Sequence, residues 1–438
     1  MEIIIIGAGV GGLTLALELH EIGIPTRVYE SAPEIKQVGV GVTLLPHCVK
    51  VLGELGLVDH LARLAVSTRE SVFFNRFGQR IHSEPTGRHA GYEWPQFQAH
   101  RADILTVLVD AFKARIGEDR LHLGWQCTGF EQDNAGVTAK FVSRTTGEAL
   151  PPQKGDALIG CDGLHSVIRK QLHPNEGEPV YSGVNMWRGV TRWKPYLTGE
   201  SYTRAGWLTP AKTVIYPIRN NIDAEGRTLI SWVVEITTPK YEKRDWNRPG
   251  NIDDFIGPLE DWDWDWLDVP AMIRASDMIL EFPMIDQDPL PWWTQGRVTL
   301  LGDAAHPMVP RGSNGAGQAI LDTVALKEAF RASKDPIVAL KAYEEKRSPA
   351  TASVVLTNRK NPPDAILREV WQRTGDKPFT DIDEVITKAE IMAISDGYKK
   401  VAGYDRESLR DGKPLRGDDG ALRDGDEALR DGNGALRA

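Results

Sequence analysis

The sequence has few cysteines and no long apolar run. Its 438 residues include three cysteines, Cys48, Cys127 and Cys161, which lie far apart and form no CxxC pair. This excludes a disulfide scaffold, a cysteine metal site and a dithiol reductase, and it favours a reducing compartment. No segment approaches the roughly 18 to 20 apolar residues that a membrane-spanning helix needs. Met1 is followed almost at once by the apolar segment Ile3–Ile6, without a charged leader or cleavage site, so we expect a soluble cytoplasmic protein.

Positive charge is not in excess either. The 52 lysines and arginines are outnumbered by 61 aspartates and glutamates, which gives a net charge of −9. Such a balance disfavours non-specific binding to nucleic acid or to an anionic membrane. With 41% hydrophobic residues the chain can form a sizeable core, and its length suits two domains. We therefore expect no nucleic-acid or membrane partner. The chain is expected to be a monomer or homodimer.

The first thirty residues have the pattern of a nucleotide-binding βαβ unit. Ile3–Ile6 is a buried parallel strand, a GxGxxG turn follows it, and a helix leads to a second strand that ends at Glu30. The first glycine permits the bend, the second lets the backbone approach a pyrophosphate, and the last lets the helix pack on the strand. A carboxylate at position 30 would accept hydrogen bonds from a ribose and repel a 2′-phosphate, which favours FAD or NAD over NADP. The predicted cofactor-binding residues are Gly7, Gly9, Gly11, Gly12 and Glu30.

Two later motifs join glycine to aspartate directly after apolar strands. Asp162–Gly163 (the DG motif) follows residues 157–160. Gly302–Asp303 (the GD motif) follows residues 297–301 and leads into a glycine-rich loop. Between about residues 179 and 284 the chain is rich in Trp, Tyr, Val and Thr with frequent Pro and Gly, which is typical of an antiparallel sheet. These patterns predict a nucleotide-binding core interrupted by a β-rich insertion.

The three motifs, in this order and at these separations, resemble those of the single-component FAD-dependent aromatic hydroxylases, also called group A flavin monooxygenases. Within that family, Met186–Val190, Phe282–Asp286 and Asp288–Pro291 are most similar to the phenazine-1-carboxylate type hydroxylases. The resemblance covers roughly residues 1 to 350. It implies an α/β fold in which a Rossmann-like FAD-binding domain carries an inserted, mostly antiparallel β-sheet substrate domain and a C-terminal helical region.

The end of the chain differs in composition from the rest. Residues 406–438 repeat Ala-Leu-Arg-Asp-Gly, and glycine every few residues with mixed charges cannot form a core, so this tail is predicted to be disordered. The expected domain boundaries are 1–70, 100–178 and 285–350 for the FAD-binding domain, 71–99 and 179–284 for the β-rich substrate domain, and 351–405 for the C-terminal helices.

The resemblance also implies the activity. NADH or NADPH would bind transiently and reduce FAD, and O2 would add at flavin C4a. The resulting C4a-hydroperoxyflavin would hydroxylate a planar aromatic or heteroaromatic, carboxylated small molecule, without a metal. A flavoprotein that only binds a ligand or oxidises NAD(P)H stays an alternative. A flavin-dependent halogenase is a second alternative, although the tryptophans at 262–266 lack the pattern and the position that it needs.

The resemblance assigns FAD-binding roles to matching positions. Asp303 would accept a hydrogen bond from a ribityl hydroxyl, Asp162 would lie behind the pyrophosphate, and Arg101 would face the ribityl and pyrophosphate groups. Each role has a structural alternative, because the aspartates could cap helices and the arginine could form a surface salt bridge. The other implied positions are Gly41 and Val42 at the isoalloxazine edge within segment 39–43, Cys127 at the adenine, Gly302 beside Asp303, and Gly315 and Ala316 at the flavin N1/C2 carbonyl.

The substrate pocket is expected between the flavin and the β-rich insertion. Arg188 would pair with a carboxylate, a role that Arg311 could also fill, and Tyr216 would contact a phenol hydroxyl. Arg188 and Tyr216 are therefore the predicted catalytic residues, while His306, beside the GD motif, is expected to be structural. For the aromatic residues the alternative is packing within the sheet. The predicted substrate-binding residues are Trp187, Arg188, Trp207, Tyr216, Met284 and Pro310.

Overall fold

The computed structural model describes residues 1–35, 40–238, 248–360 and 363–410. The strands are β1 (Ile3–Ile6), β2 (Thr26–Glu30), β3 (Gly41–Leu44), β4 (Val66–Ser67), β5 (Glu70–Phe74), β6 (Arg80–Pro85), β7 (Phe97–His100), β8 (Leu121–Leu123), β9 (Trp125–Gln132), β10 (Val137–Ser143), β11 (Ala149–Gly155), β12 (Ala157–Gly160), β13 (Val180–Trp193), β14 (Ser201–Trp207), β15 (Ala211–Arg219), β16 (Thr228–Thr237), β17 (Arg248–Pro249), β18 (Asp263–Trp264), β19 (Leu267–Asp268), β20 (Ile279–Asp286) and β21 (Val298–Leu300). The α-helices are α1 (Val10–His20), α2 (Pro46–Glu54), α3 (Val58–Ala62), α4 (Arg101–Arg115), α5 (Val167–Leu172), α6 (Val269–Arg274), α7 (Gly315–Ala332), α8 (Pro336–Lys360), α9 (Ala365–Thr374), α10 (Lys388–Ala402) and α11 (Arg406–Arg410).

Five parallel strands form the first sheet, in the order β21-β12-β1-β2-β8. The central strand β1 consists of four isoleucines, all buried, because other elements cover both faces of a parallel sheet. Strands β1, β12 and β21 are neighbours, so their carboxyl ends meet at one edge of the sheet. The GxGxxG turn, the DG motif and the GD motif directly follow these three strands. Three motifs that are far apart in sequence therefore lie side by side at the edge where α/β sheets bind ligands.

Eight strands form the second sheet, in the order β17-β20-β13-β16-β15-β14-β5-β6. Neighbouring strands are antiparallel except for β14 and β5. Side chains alternate between the two faces of such a sheet. One apolar cluster contains Tyr216, Met284 and Val40, and a separate cluster contains Trp187 and Phe255. The first cluster joins the second sheet to the start of β3, so that face of the sheet is turned toward the nucleotide-binding part.

Two three-stranded sheets, the two-stranded sheet of β18 and β19 and the C-terminal helices complete the described fold. Strands β3, β7 and β4 form one small sheet, and β9, β10 and β11 form the other. The disordered tail was predicted to start at residue 406, but helix α11 spans Arg406–Arg410. This segment contains no glycine, and glycine is second only to proline in destabilising a helix. Residues 411–438 lie outside the described part of the chain, and so does the prediction of disorder for them.

The predicted fold class is confirmed by this arrangement of a parallel sheet, a mostly antiparallel insertion and a helical C-terminal region. The domain boundaries stay a prediction. One detail differs from them, because β7 was placed with the substrate domain and pairs instead with β3 and β4. Among the described helices none is both long and apolar enough to cross a membrane.

Candidate functional site

The glycines of the GxGxxG turn have three different surroundings. A Cβ atom on Gly7, whose φ is +104°, would lie 2.4 Å from the carbonyl oxygen of Cys161, and one on Gly12 would lie 2.0 Å from the carbonyl oxygen of Gly7. A Cβ on Gly11 would lie 2.8 Å from the Leu301 side chain. A Cβ on Gly9 would meet nothing within 4 Å. Three of the glycines therefore allow close packing, and Gly9 alone borders open space into which a pyrophosphate fits.

Glu30 is tied to the same turn by its side chain. The backbone N–H of Ala8 donates to Oε2 of Glu30 at 2.9 Å, and the backbone N–H of Ala32 donates to Oε1 at 2.8 Å. The carboxylate is thus held beside the turn in a fixed orientation and is only half-buried. Ser31 Oγ also donates to Oε1 at 3.1 Å, so Oε2 is the oxygen with a further lone pair, and the predicted acceptance from a ribose hydroxyl is compatible with this geometry.

The aspartates of the DG and GD motifs have different partners. Asp162 accepts hydrogen bonds from Ser166 Oγ at 2.5 Å and from the backbone N–H of Val167 at 2.8 Å, so it supports the start of α5, whose N-cap residue is Ser166. Asp303 is exposed, and within the described residues no hydrogen bond or ion pair to its carboxyl is found. A Cβ on Gly315 would lie 3.8 Å from Oδ1 of Asp303. The Asp303 carboxyl is thus free to accept from a ligand beside the start of α7.

Arg101 is the first residue of α4, and its side chain is exposed. Its backbone N–H donates to the carbonyl of Val40 at 3.1 Å. No ion pair of the Arg101 guanidinium occurs among the residues described, so the salt-bridge alternative is not what the structure shows.

Helix α7 begins at Gly315 with Asn314 at the N-cap position, and no side chain caps it. The first-turn N–H groups of a helix have no partner within the helix and carry a positive partial charge. Gly315 and Ala316 therefore present free donors next to Asp303. This fits the predicted contact with the negative N1/C2 edge of a reduced flavin.

The two predicted catalytic residues lie together. Arg188 Nη2 donates to the carbonyl oxygen of Gly41 at 2.8 Å, and the N–H of Gly41 donates to Ser231 Oγ at 3.0 Å. A Cβ on Gly41 would lie 2.5 Å from the Tyr216 ring, so only glycine lets β3 approach the sheet here. Burial raises the pKa of the Tyr216 hydroxyl, while the charge of Arg188 acts to lower it. Of the predicted substrate residues, Met284 shares the apolar cluster of Tyr216.

Two predicted substrate residues are elsewhere, and these predictions are corrected. Trp187 adjoins Arg188 in β13, so it points to the other face of the sheet, where its ring stacks on Phe255 at a centroid distance of 5.1 Å. Trp207 packs with the cluster that contains Leu367 of α9. Both tryptophans thus pack the sheet, which was the alternative interpretation.

Three further predicted residues have clear environments. Val42 is half-buried in β3, between Gly41 and the core, and Pro310 is exposed in the loop before α7. Cys127 lies in β9 with its thiol donating to the carbonyl of Gly129 at 3.6 Å, and burial raises the pKa of the thiol to about 12. The Cys127 side chain therefore presents little surface to an adenine.

An open cleft adjoins the loop before α7. Its lining includes Gly312 and Ser313 of that loop together with Tyr202 and Arg204 of β14. The ring of Tyr202 stacks on that of Tyr216 at a centroid distance of 5.0 Å, so Tyr202 lies between the cleft and the predicted catalytic residues. The other aromatic side chains in its walls are Phe73, Tyr92 and Tyr404.

Sequence reasoning missed Tyr202 and Arg204. The Arg204 guanidinium carbon lies 4.4 Å from the centroid of the Tyr202 ring and 5.0 Å from that of Phe73, and Nη1 donates to Ser71 Oγ at 2.6 Å. Both residues alternate along one strand, so period-two patterning could have placed them on one face. Which face borders a cleft depends on the parallel pairing of β14 with β5, which no local pattern shows.

A buried charge network lies behind Arg204. Asp364 pairs with Arg204 at 2.9 Å and with Lys212, which also bonds Glu235 at 2.8 Å. Arg311 Nε is 3.7 Å from Glu235 Oε2, so this predicted alternative partner for a substrate carboxylate already has a protein partner. Three cations face two carboxylates, which leaves one positive charge beside the cleft.

His306 has the predicted structural role. Its Nε2 lies 2.6 Å from Asp322 Oδ2, and Arg347 Nε donates to Asp322 Oδ1 at 2.7 Å. The N–H of Gly302 also donates to Asp322, at 3.1 Å, so this buried group holds the GD motif in place. No group of three or more His, Cys, Asp or Glu side chains suited to a metal ion is found in the described ranges.

Comparisons with known proteins agree with this arrangement. A family model described as FAD binding domain matches residues 1–248 and 272–357. The phenazine 1,6-dicarboxylic acid hydroxylase PhzS of Lysobacter antibioticus is 39% identical over 404 residues, covering 91% of this chain and 97% of the relative. The 3-amino-4-hydroxybenzoate 2-monooxygenase PtnB3 of Streptomyces platensis is 32% identical over 364 residues, covering 81% and 85%. The crystal structure of Klebsiella pneumoniae HpxO complexed with FAD and uric acid has a TM-score of 0.72 at 25% identity and covers 94% of this chain and 97% of its own.

Proposed function

The chain belongs to the FAD binding domain family of flavin-dependent aromatic hydroxylases, and we propose that it hydroxylates a planar aromatic or heteroaromatic ring that carries a carboxylate. NADH or NADPH is the reductant and O2 the oxygen donor. When bound, FAD supplies the transfer of electrons from the nicotinamide to O2 and of one oxygen atom to the ring. The residues of the chain then have to bind the two reactants, orient them and exclude water.

The cofactor is held mainly by the edge of the parallel sheet. Gly9 lets the pyrophosphate approach the backbone, Glu30 accepts from the ribose, and Asp303 accepts from the ribityl chain. Gly315 and Ala316 donate to the negative edge of the flavin. This assignment is supported by the open space at Gly9, by the Asp303 carboxyl, which has no partner among the described residues, and by the start of α7, which no side chain caps.

The ring substrate occupies the cleft beside the loop that precedes α7. The observation that most supports this placement of the substrate is the pair formed by Tyr202 and Arg204, which gives the cleft an aromatic wall and a positive charge on the same strand. Tyr216 and Arg204 cover the two faces of the Tyr202 ring, so a planar substrate ring meets the edge of Tyr202 in the cleft wall, and the excess positive charge behind Arg204 favours a carboxylate. Arg188 and Tyr216 then lie on the other side of the Tyr202 ring, where they position the flavin edge through Gly41.

Two further expectations remain part of the proposal. The segments of the parallel sheet form an FAD-binding domain and the eight-stranded sheet forms a substrate domain. A cytoplasmic location is supported by three cysteines that are all free, and a monomer or homodimer is expected. Analytical ultracentrifugation of the FAD-loaded chain distinguishes the two oligomeric states.

The test is turnover by the FAD-loaded protein with NADH or NADPH in air. Phenazine and benzene carboxylic acids are compared with their methyl esters, and both nicotinamide oxidation and product mass are measured. We expect an acid to accelerate oxidation and to gain one oxygen atom, and its ester to be a poorer substrate. Nicotinamide oxidation that no acid accelerates, with all electrons recovered as H2O2, would contradict hydroxylation and favour the non-oxygenating flavoprotein.

A further inference from the structure

The loop between the GD motif and α7 is held from outside by the C-terminal helices. Tyr398 of α10 accepts a hydrogen bond from Asn314 Nδ2 at 2.9 Å and donates to Asn358 Oδ1 of α8 at 2.8 Å. Asn358 Nδ2 in turn lies 3.5 Å from the carbonyl oxygen of Val309. Tyr398, Asn314 and Asn358 are all buried, so these contacts are shielded from water.

The backbone of the loop also passes directly against the Tyr398 hydroxyl. Gly312 has a φ of +80°, and a Cβ atom there would lie 1.9 Å from the Tyr398 oxygen. Any other residue would push the tyrosine away or distort the loop. The conformation of residues 309–314 and the position of the Tyr398 hydroxyl therefore depend on each other.

This contact has a consequence for the start of α7. Asparagine is among the best N-cap residues, because its side-chain oxygen accepts from the first-turn N–H groups. Asn314 occupies the N-cap position but does not cap: its Nδ2 donates to Tyr398 at 2.9 Å and, at 3.2 Å, to the carbonyl oxygen of Gly312, and its Oδ1 is buried without a hydrogen-bond partner in the described ranges. The side-chain oxygen of Asn314, which would otherwise compete with a ligand for the first-turn N–H groups of α7, is thus turned away from them.

We infer that Tyr398 is a positioning residue that keeps the first turn of α7 open for an anionic ligand group by holding Asn314 out of its capping position. Under the proposed function, on which this inference rests, that group is the N1/C2 edge of the flavin. When Tyr398 loses its hydroxyl, Asn314 turns back and accepts from the N–H of Ala316 or Gly317, and the ligand loses first-turn donors.

The test is Tyr398→Phe in the full chain, with Tyr196→Phe as the matched control. Tyr196 is also buried and donates to two backbone carbonyls, those of Ser201 and Ile215, inside the eight-stranded sheet. FAD is titrated into each apoprotein, and the reduction midpoint potential of the bound flavin is measured without substrate. We expect Tyr398→Phe to weaken FAD binding about 10-fold or more and to make the potential more negative, since hydrogen bonds to a charged group contribute most. The control should change neither quantity.

A second pair of variants applies if Tyr398→Phe fails to fold. Asn314→Ser introduces a good N-cap residue that is too short to reach Tyr398, whereas Asn314→Ala cannot cap. We expect the serine variant to bind FAD more weakly than the alanine variant, although a cap alone would stabilise the helix. Equal FAD affinities and potentials in the two variants, or wild-type values in Tyr398→Phe, would overturn the inference. Both readouts need FAD binding only, so they stand apart from a failure of hydroxylation.

Discussion

The two ends of the candidate site are built from different parts of the chain. The end at the parallel sheet consists largely of backbone: Gly9, which borders open space, and the free N–H groups at the start of α7, together with the exposed carboxylate of Asp303. The end at the eight-stranded sheet consists of side chains, with Tyr202 in the wall of the cleft and a charge network formed by Arg204, Lys212, Arg311, Glu235 and Asp364. Backbone recognition suits a cofactor that never changes, whereas side chains can be exchanged to suit a different ring.

The largest expected effect concerns the charge network around Lys212, at the end of the site formed by the eight-stranded sheet. Lys212→Met leaves the buried carboxylates of Glu235 and Asp364 short of a partner, and we expect the free energy of unfolding to fall by about 3 to 5 kcal/mol. Urea unfolding of the apoprotein measures it. The matched control is Lys113→Met, which breaks the exposed pair with Glu118 and should leave the midpoint unchanged. Equal midpoints for both variants would show that the network contributes nothing to stability.

The next prediction distinguishes the roles of Gly9 and Gly12 in the GxGxxG turn at the parallel sheet. Gly12→Ala places a Cβ against the backbone oxygen of Gly7, so the apoprotein should lose about 1 to 3 kcal/mol of unfolding free energy. Gly9→Ala meets no atom and should leave apoprotein stability unchanged, yet weaken FAD binding about 10-fold or more. Urea unfolding and FAD titration of both variants measure this. If Gly9→Ala binds FAD like the wild type, the pyrophosphate does not approach that backbone.

A pH dependence follows from His47 at the start of α2. Burial, assisted by the charge of Arg347, lowers the pKa of His47 to about 3, whereas a histidine in the unfolded chain has a pKa near 6.5. The stability is therefore complete above about pH 6.5 and falls as the unfolded chain takes up a proton that the folded chain does not. Between pH 7 and 5 His47 should account for a loss of about 2 kcal/mol.

The check is the unfolding free energy of His47→Gln at pH 7 and pH 5. The difference between the two pH values should be about 2 kcal/mol smaller than in the wild type. His20→Gln, at an exposed histidine of α1, is the control and should keep the full pH dependence. An unchanged pH dependence in His47→Gln would mean that this ring is protonated in the folded protein.

The smallest expected effect concerns Arg204 in the cleft. Arg204→Gln removes a positive charge from the cleft wall, so the ratio of kcat/KM for a ring carboxylic acid to that for its methyl ester should fall about 10-fold. Using the ratio within one variant cancels any general loss of folded enzyme. Arg227→Gln, in the exposed pair with Asp223, should leave the ratio as it is. A ratio that does not respond to Arg204→Gln would mean that the carboxylate is recognised elsewhere.

Sequence patterns predicted the end of the site at the parallel sheet better than the end at the eight-stranded sheet. The GxGxxG turn and the GD motif are local, and each follows a strand whose apolar run predicts its burial, so their meeting at one sheet edge follows from the order of the strands. The DG motif follows its strand at this edge as predicted, but the Asp162 carboxyl accepts a hydrogen bond from the first turn of α5. The cleft depends on which strands pair, and Tyr202 lies in a strand without a motif. Trp187 was a wrong expectation that alternation alone could have avoided, since its neighbour Arg188 must face the other way.

The most direct test of these separate roles of the two sheets is to titrate FAD into the apoproteins of Gly9→Ala and Arg204→Gln and to compare their affinities. If the cofactor is bound by backbone at the parallel sheet and the ring by side chains at the eight-stranded sheet, Gly9→Ala loses about 10-fold or more in FAD affinity. Arg204→Gln should then stay within about 2-fold of the wild type, which is under 1 kcal/mol. An equal loss of FAD affinity in both variants would contradict the account.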